Sequence, residues 1–375
     1  MFSRSACTFA VRRLFVPLAA LGVVAGCTAT RPPVAHTVPA TAPCRTLVND
    51  TPGARALQPA FAWHQADAAS VAAHAAACAT VGPAVVAAFD GADPFSAPVR
   101  PTDVVIVSWN VRVGGGDLVG LIAALRAGAF TRGEPVRHFV LLVQEAFRSG
   151  DDVPDRLPEG VEVPARIAPR PLRGERVDVL AAARAAGLHV FYVPSMRNGG
   201  DPRLPAEDRG NAILSTLPLS DPAAIELPYG RQRRVAAAAA ITGVDEAGRA
   251  WRVRVVSAHL DATAGPRALW LFSSGLRERQ AAHLRAALDG DLPTVLGVDL
   301  NTWAGGTREP AVRVLRQAFP DSDVTVGSTF RFGWVLDYVF TRLPDEWGTR
   351  VVVLDDRFGS DHHPVVARLR ANDDS

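Results

Sequence analysis

Lysine is missing from the whole 375-residue chain, so all 40 of its Lys+Arg cations are arginine. That absence excludes a phosphate-loop lysine, a Schiff-base lysine and a lysine general base. Cationic chemistry must come from arginine, histidine or a bound metal. Cysteine is scarce as well, at four residues, and Cys7, Cys27, Cys44 and Cys78 have no metal-ligand spacing. The apolar stretch Leu14–Ala25 has twelve residues, short of the about 20 that span a bilayer. A strong net charge is also lacking. The formal +2 includes Arg4, Arg12 and Arg13, and without the first 26 residues 37 basic face 38 acidic side chains. A nearly neutral protein exerts no strong global pull on polyanions.

What is present begins with an address. Residues 1–26 combine a basic start with the apolar stretch and end in Val24-Ala25-Gly26-Cys27. This resembles a bacterial lipobox, which implies cleavage before Cys27 and lipidation of Cys27. The alternative is an ordinary signal peptide with an incidental cysteine. Thr28 follows where an aspartate would retain an inner-membrane lipoprotein, a pattern that implies the outer membrane in diderm cells. The expected location is therefore the cell envelope, lipid-anchored on an extracytoplasmic face. Residues 27–43, rich in Pro, Thr and Ala, read as a flexible tether. Residues 44–100 read as a small Ala-rich extension with a helix over Ala66–Ala79. An exported chain is expected to join Cys44 to Cys78, the alternative being two buried thiols.

From Val104 the texture changes. Apolar β-branched runs recur at Val104–Val107, Phe139–Val143, Val190–Val193, Val253–Val256, Val295–Val298, Val335–Phe340 and Val351–Leu354. Helical patterns intervene at Leu118–Ala129, Val177–Ala186, Ser274–Leu288 and Ala311–Phe319. The mixture predicts a layered α/β domain over 101–372, with strands buried on both faces.

Strand after strand ends in a polar group: Ser108-Trp109-Asn110, Gln144-Glu145, His259-Leu260-Asp261, Asp299-Leu300-Asn301, Leu336-Asp337-Tyr338 and Ser360-Asp361-His362-His363. Gathered at one sheet edge, these acids, amides and imidazoles suit a divalent cation and proton transfer at a phosphate. Singly, each has a bland reading as a turn residue, a solvated acid or a satisfied histidine. Asp337 is the exception, because an acid inside an apolar strand requires a partner.

In that order, with Gly210-Asn211-Ala212-Ile213-Leu214-Ser215 between, the motifs resemble the endonuclease/exonuclease/phosphatase superfamily, with its deoxyribonuclease I-like fold. The resemblance implies a four-layer α/β/β/α sandwich with two central, mostly antiparallel or mixed sheets. It implies Mg²⁺ (or Mn²⁺) held by Glu145, with Asn110 and Asp361 beside it. Asp299 would orient or deprotonate water, Asn301 would hold the scissile phosphate, and Asp337 would orient His362, which contacts the phosphate or acts as base. His259 would stand near the leaving oxygen, which favours diesters. Arg112 occupies a place where some members carry an acid, which favours a single metal.

The implied activity is an exported, metal-dependent phosphodiesterase, nuclease-like or phospholipid-directed, anchored to a membrane and monomeric. Alternatives are a phosphomonoesterase of the same superfamily and a non-catalytic envelope binding protein. The basic run Arg231-Gln232-Arg233-Arg234 offers Arg233 and Arg234 to a substrate phosphate, the alternative being a solvated strand start. Trp270, Leu271 and Phe272 form an apolar cluster that either meets a lipid surface or packs at a helix start.

Overall fold

Alternation along the Val-rich runs sends neighbouring residues into different cores, and this builds the layers. The computed structural model describes residues 35–36, 43–51, 61–89, 98–157, 159, 175–198, 206–262, 274–322 and 327–372. The expected signal segment, Cys27 and the cluster at 270–272 lie outside these. The chain divides into two units, 1–31 and 32–375, and the description that follows is of the second.

Its strands are β1 (Ala35–His36), β2 (Leu47–Asn49), β3 (Ala62–His64), β4 (Ala84–Ala88), β5 (Val104–Asn110), β6 (His138–Ser149), β7 (His189–Arg197), β8 (Glu207–Ser215), β9 (Leu219–Glu226), β10 (Val235–Val244), β11 (Ala250–His259), β12 (Thr294–Asp299), β13 (Asp337–Arg342), β14 (Trp347–Val353) and β15 (Val365–Ala371). Its helices are α1 (Val71–Cys78), α2 (Leu118–Arg126), α3 (Val179–Ala186), α4 (Gly275–Ala287) and α5 (Pro310–Ala318).

The strands form two sheets, in the orders β14-β15-β5-β6-β8-β7-β4-β2 and β1-β3-β9-β10-β11-β12-β13. Both are mixed: β5 runs parallel to β6 and β11 to β12, while most other pairs are antiparallel. On β5, Val104 and Ile106 enter the core between the sheets, whereas Val105, Val107 and Trp109 face the core shared with α2 and α3. On β12, Val295 points between the sheets, and Leu296 and Val298 pack with α4 and α5. The period of two thus produces the expected four layers.

Local chemistry sets the helix ends. Asp117 caps α2 by accepting from the Gly120 amide at 2.7 Å, and Asp178 caps α3 through Leu180 and Ala181. Gly187 ends α3 in the left-handed conformation, φ 61°.

The N-terminal residues are woven into the sandwich. β3 adds to one sheet and β2 and β4 to the other, so the described strands of region 44–100 join both sheets. Within the segment read as a tether, Ala35 and His36 pair with His64 and Trp63. The helix expected over Ala66–Ala79 is shorter, a 3₁₀ turn at Ala68–Ser70 leading into α1. A Cys44–Cys78 disulfide, Cα atoms 5.3 Å apart, ties α1 back to the start of this region.

Candidate active site

The apolar seam between the sheets turns polar toward one edge. Along β5 the seam-facing residues run Ile106, Ser108, Asn110; along β12 they run Val295, Gly297, Asp299; along β11 they run Val255, Ser257, His259. Gln144 from β6 forms the floor, its Nε2 donating to the Leu142 carbonyl (2.9 Å) and lying 3.2 Å from Ser257 Oγ. Gly297 is required here, since a Cβ would come within 2.6 Å of Ser108. Register then lines up the chemistry: Asp299 is paired with His259 on one side and Asp337 on the other.

Asp299 is the hub. Its Oδ2 accepts from Asn110 Nδ2 at 2.8 Å, its Oδ1 accepts from the Asn301 amide at 2.9 Å, and His259 Nε2 and His362 Nε2 approach Oδ2 at 3.4 and 3.9 Å. Burial, and then the charge of Asp337, push its carboxyl up to about 7. His362 Nδ1 lies 2.8 Å from Asp337 Oδ2. Burial works against the imidazolium, but Asp337 outweighs it with Asp299 and Asp361 in support, and His362 is raised to about 10. A histidine held cationic in this way is a poor base.

His259 is opposite in character. Burial, together with Arg234, His362 and Arg209, lowers it well below the ordinary histidine range. Asn301 Nδ2 donates to the Leu260 carbonyl at 3.1 Å, which fixes the amide's orientation, so His259 Nε2, 2.8 Å away, is the acceptor. Both Asn301 amide hydrogens are therefore engaged, and His259 orients Asn301 while holding no proton on Nε2.

Glu145 reaches the site through a β-bulge. β6 pairs Val143 with Ala212 and Ala146 with Gly210, so one extra residue is inserted and Glu145 takes φ 51°. A second bulge, between Pro194 and Met196 on β7, faces the same stretch of β8. Gly210 lies between them, where a Cβ would come 1.9 Å from the Val193 carbonyl. Glu145 lines a small cleft with Arg209, Asn211, Arg234 and His259, and it makes no hydrogen bond or ion pair with any described residue.

Other expected residues are placed differently. Asp361 Oδ2 faces Arg112 Nε at 3.6 Å, and Asn110 is engaged at both ends, its Oδ1 accepting from the Arg112 amide. Arg233 is not at the site. It is fully buried just ahead of β10, bonded to Glu226 and to the Pro194 carbonyl at 2.9 Å. Arg234, the next residue, lines the cleft. Sequence reasoning missed Arg209, the Ser108–Gln144–Ser257 floor and an aromatic cluster of Trp303, Phe330, Phe332 and Trp334. The Phe330 ring stands 4.8 Å from His362, and its only sequence signal is the Thr329-Phe330…Trp334 run just ahead of Asp337.

A family model described as "Endonuclease/Exonuclease/phosphatase family" matches residues 107–362, from β5 to His362. The chain belongs to that family. Members of the family are metal-dependent hydrolases acting on phosphoester bonds. No curated protein matches the sequence. Among solved structures, it is similar to an endonuclease/exonuclease/phosphatase from Beutenbergia cavernae at 22% identity, covering 72% of this chain and 71% of that one, TM-score 0.45. It is also similar to sphingomyelinase C from Streptomyces griseocarneus (18% identity, 72% and 99% coverage, TM-score 0.43) and to the human Nocturnin catalytic domain (16%, 74% and 97%, 0.44).

The family's metal can be tested against the residues present. Asp299, Asp337 and His362 bring ligand atoms within 4.8 Å of one another. Yet His362 is committed to Asp337 and carries a proton, so this trio fits proton handling better than coordination. Glu145, with its uncommitted carboxylate, fits a cation ligand, and an oxygen donor suits a hard cation.

Proposed function

We propose that this family member is an exported hydrolase of phosphodiesters, in nucleic acid or a phospholipid headgroup, that works with Mg²⁺ or Mn²⁺ and is monomeric. The lipobox-like sequence supports a lipid anchor at Cys27 in the cell envelope. The observation that carries the hydrolase reading is Asp299, a base near neutrality set between a neutral His259 and a cationic His362.

When bound, a divalent cation at Glu145 supplies positive charge to the phosphate and the leaving oxygen. Asp361 is paired with Arg112. Asp299, oriented by Asn110, takes a proton from the attacking water. His362, fixed by Asp337, presents a charged N–H to a phosphate oxygen. His259 holds Asn301 in place and, being neutral, accepts rather than donates at Nε2. The balanced step adds water across the P–O bond, giving a phosphomonoester and an alcohol.

Hydrolysis of bis(p-nitrophenyl) phosphate with Mg²⁺ tests this reading. Wild type is expected to be active, and Asp299→Ala and His362→Ala to lose at least about 10³-fold. Parallel assays on plasmid DNA, RNA, sphingomyelin and phosphatidylinositol phosphates identify the substrate. A wild type inert on all of them, with either metal, would leave the binding-protein alternative.

A further inference from the structure

The larger sheet ends at β14. Val351 on that strand, with Val365, Ala367 and Leu369 on β15, belongs to the core between the sheets. Alternation therefore turns Arg350, Val352, Val366 and Arg368 to the outer face. The core that this face shares with α2 and α3 includes Val366 but leaves Val352 45% exposed. Register sets Arg350 directly opposite Arg368, and Val352 opposite Val366. Side chains placed in this way begin about 5 Å apart, and like charges on them repel. No carboxylate of a described residue is bonded to either arginine. Arg368 bonds the Phe130 carbonyl at 3.5 Å, and Arg350 makes no hydrogen bond or ion pair with any described residue.

A cavity of about 460 Å³ opens over the pair, a volume in the range of small-ligand sites. Val352, Leu354 and Val366 give it an aliphatic floor, with Phe130 beside them. A third arginine, Arg132, lines it from the turn after α2, where it takes φ 59°, a conformation uncommon outside glycine. Arg132 is likewise bonded to no described residue. Against the three arginines stands one acid, Glu134, which is bonded to none of them. Past Glu134 and Arg368 the groove continues into a second hollow of about 360 Å³, which adds Arg137. The acid there, Asp103, is held by Arg100. This groove is separate from the catalytic edge, because Arg368 pairs with Val105, about 17 Å along β5 from Asn110.

We propose that this groove binds an anionic phospholipid, the arginines holding its phosphate and the aliphatic floor taking the first part of its acyl chains. Guanidinium groups pair well with phosphate oxygens, and a phosphate between Arg350 and Arg368 offsets the repulsion across the ladder. A free inorganic anion leaves the aliphatic floor unused. Nucleic acid fits less well, because a single strand calls for a track of phosphate contacts and aromatic faces for its bases, whereas these arginines line one aliphatic hollow. The proposal does not rest on the hydrolase reading, since the groove is on the outer face of the sheet and the catalytic residues are in the seam.

Thermal melting of the full chain in EDTA provides the test. The probes, each below its micellar concentration, are dihexanoyl phosphatidylglycerol and dihexanoyl phosphatidylcholine, which has the same acyl chains and no net charge. Wild type is expected to melt higher with the first and not with the second. Arg350→Gln/Arg368→Gln relieves the repulsion, so it is expected to melt at or above wild type without ligand and to bind phosphatidylglycerol at least tenfold more weakly. Val352→Ser is expected to weaken binding severalfold through loss of the floor. Arg313→Gln, exposed on α5, and His362→Ala are expected to leave binding unchanged. The proposal is overturned if phosphatidylglycerol shifts wild type no more than phosphatidylcholine does, or if the double arginine variant still responds. It is also overturned if His362→Ala abolishes the response, which would place the lipid at the catalytic edge. An equal rise with inorganic phosphate would make the groove a free-anion site, and a rise only with a thymidine oligonucleotide would make it a nucleic-acid site, and either result overturns the proposal.

Discussion

Asp299 and Asp337 are direct partners in the β12–β13 ladder, and His362 is bonded to the second while facing the first. One negative charge therefore tunes two groups: Asp337 helps raise Asp299 to about 7 and holds His362 up at about 10. The working form needs Asp299 ionised and His362 protonated. Activity should rise with pH through the first value and fall through the second. Asp337→Asn takes away the shared charge, so both limbs of the pH profile should move to lower pH, with kcat down about 10²-fold. Unmoved limbs in a folded variant would remove Asp337 from this role.

Glu145 and Asp361 were both expected to hold metal, yet only Glu145 is free of a charged partner, since Asp361 faces Arg112 at 3.6 Å. Glu145→Gln should raise the Mg²⁺ concentration needed for half-maximal activity at least about tenfold, by analogy with lost metal-site partners. Asp361→Asn should raise it less. A Mg²⁺ titration of each variant decides, and the reverse order would place the cation on the Asp361 side.

Most of the layered architecture was legible, because a buried β-branched run such as Val253–Val256 has few other fates. β10 was harder: its core is five consecutive alanines, a poor strand signal, used where the strand is buried on both faces. The polar residues at strand ends were readable as an inventory, and the period of two put Asp299 and Asn301 on one side. The bulge that aims Glu145 left no mark in the sequence, because it is a property of pairing with β8. Arg233 and Arg234 could not be told apart, because they precede β10 and only their surroundings, Glu226 for the first and the cleft for the second, separate them. The N-terminal strands β1 to β3 have two or three residues each and depend on neighbours distant in sequence.

Arg233 takes part instead in a buried cluster with Glu226, Arg45 and His74, around Trp63. Burial disfavours the Glu226 carboxylate, but His74, Arg233 and Arg45 overcome it and hold the group at about 2, from an ordinary 4.5. A depressed folded-state value means that the stabilisation is present above pH 4.5 and is lost as pH falls toward 2. The difference corresponds to about 3 kcal/mol. Urea unfolding between pH 5 and 2 should show this loss. In Glu226→Gln that part of the pH dependence should vanish, and neutral-pH stability should drop by about 3–5 kcal/mol because Arg233 is left unpaired.

The disulfide acts on the same region from the unfolded side. Cys44 adjoins Arg45, and Cys78 ends the helix that carries His74, so the bridge ties together two of the three groups that clasp Glu226. Its 34-residue separation gives the unfolded chain a loop whose closure is worth about 2–4 kcal/mol. Cys44→Ser/Cys78→Ser should therefore lower the unfolding free energy by that amount, and the urea midpoint with it, and reductant should do the same to wild type. The variant should also lose part of the acid dependence assigned to Glu226, because Arg45 and His74 are held less firmly against it. If the acid dependence is unchanged while the midpoint falls, the bridge acts on the unfolded chain alone and does not support the cluster.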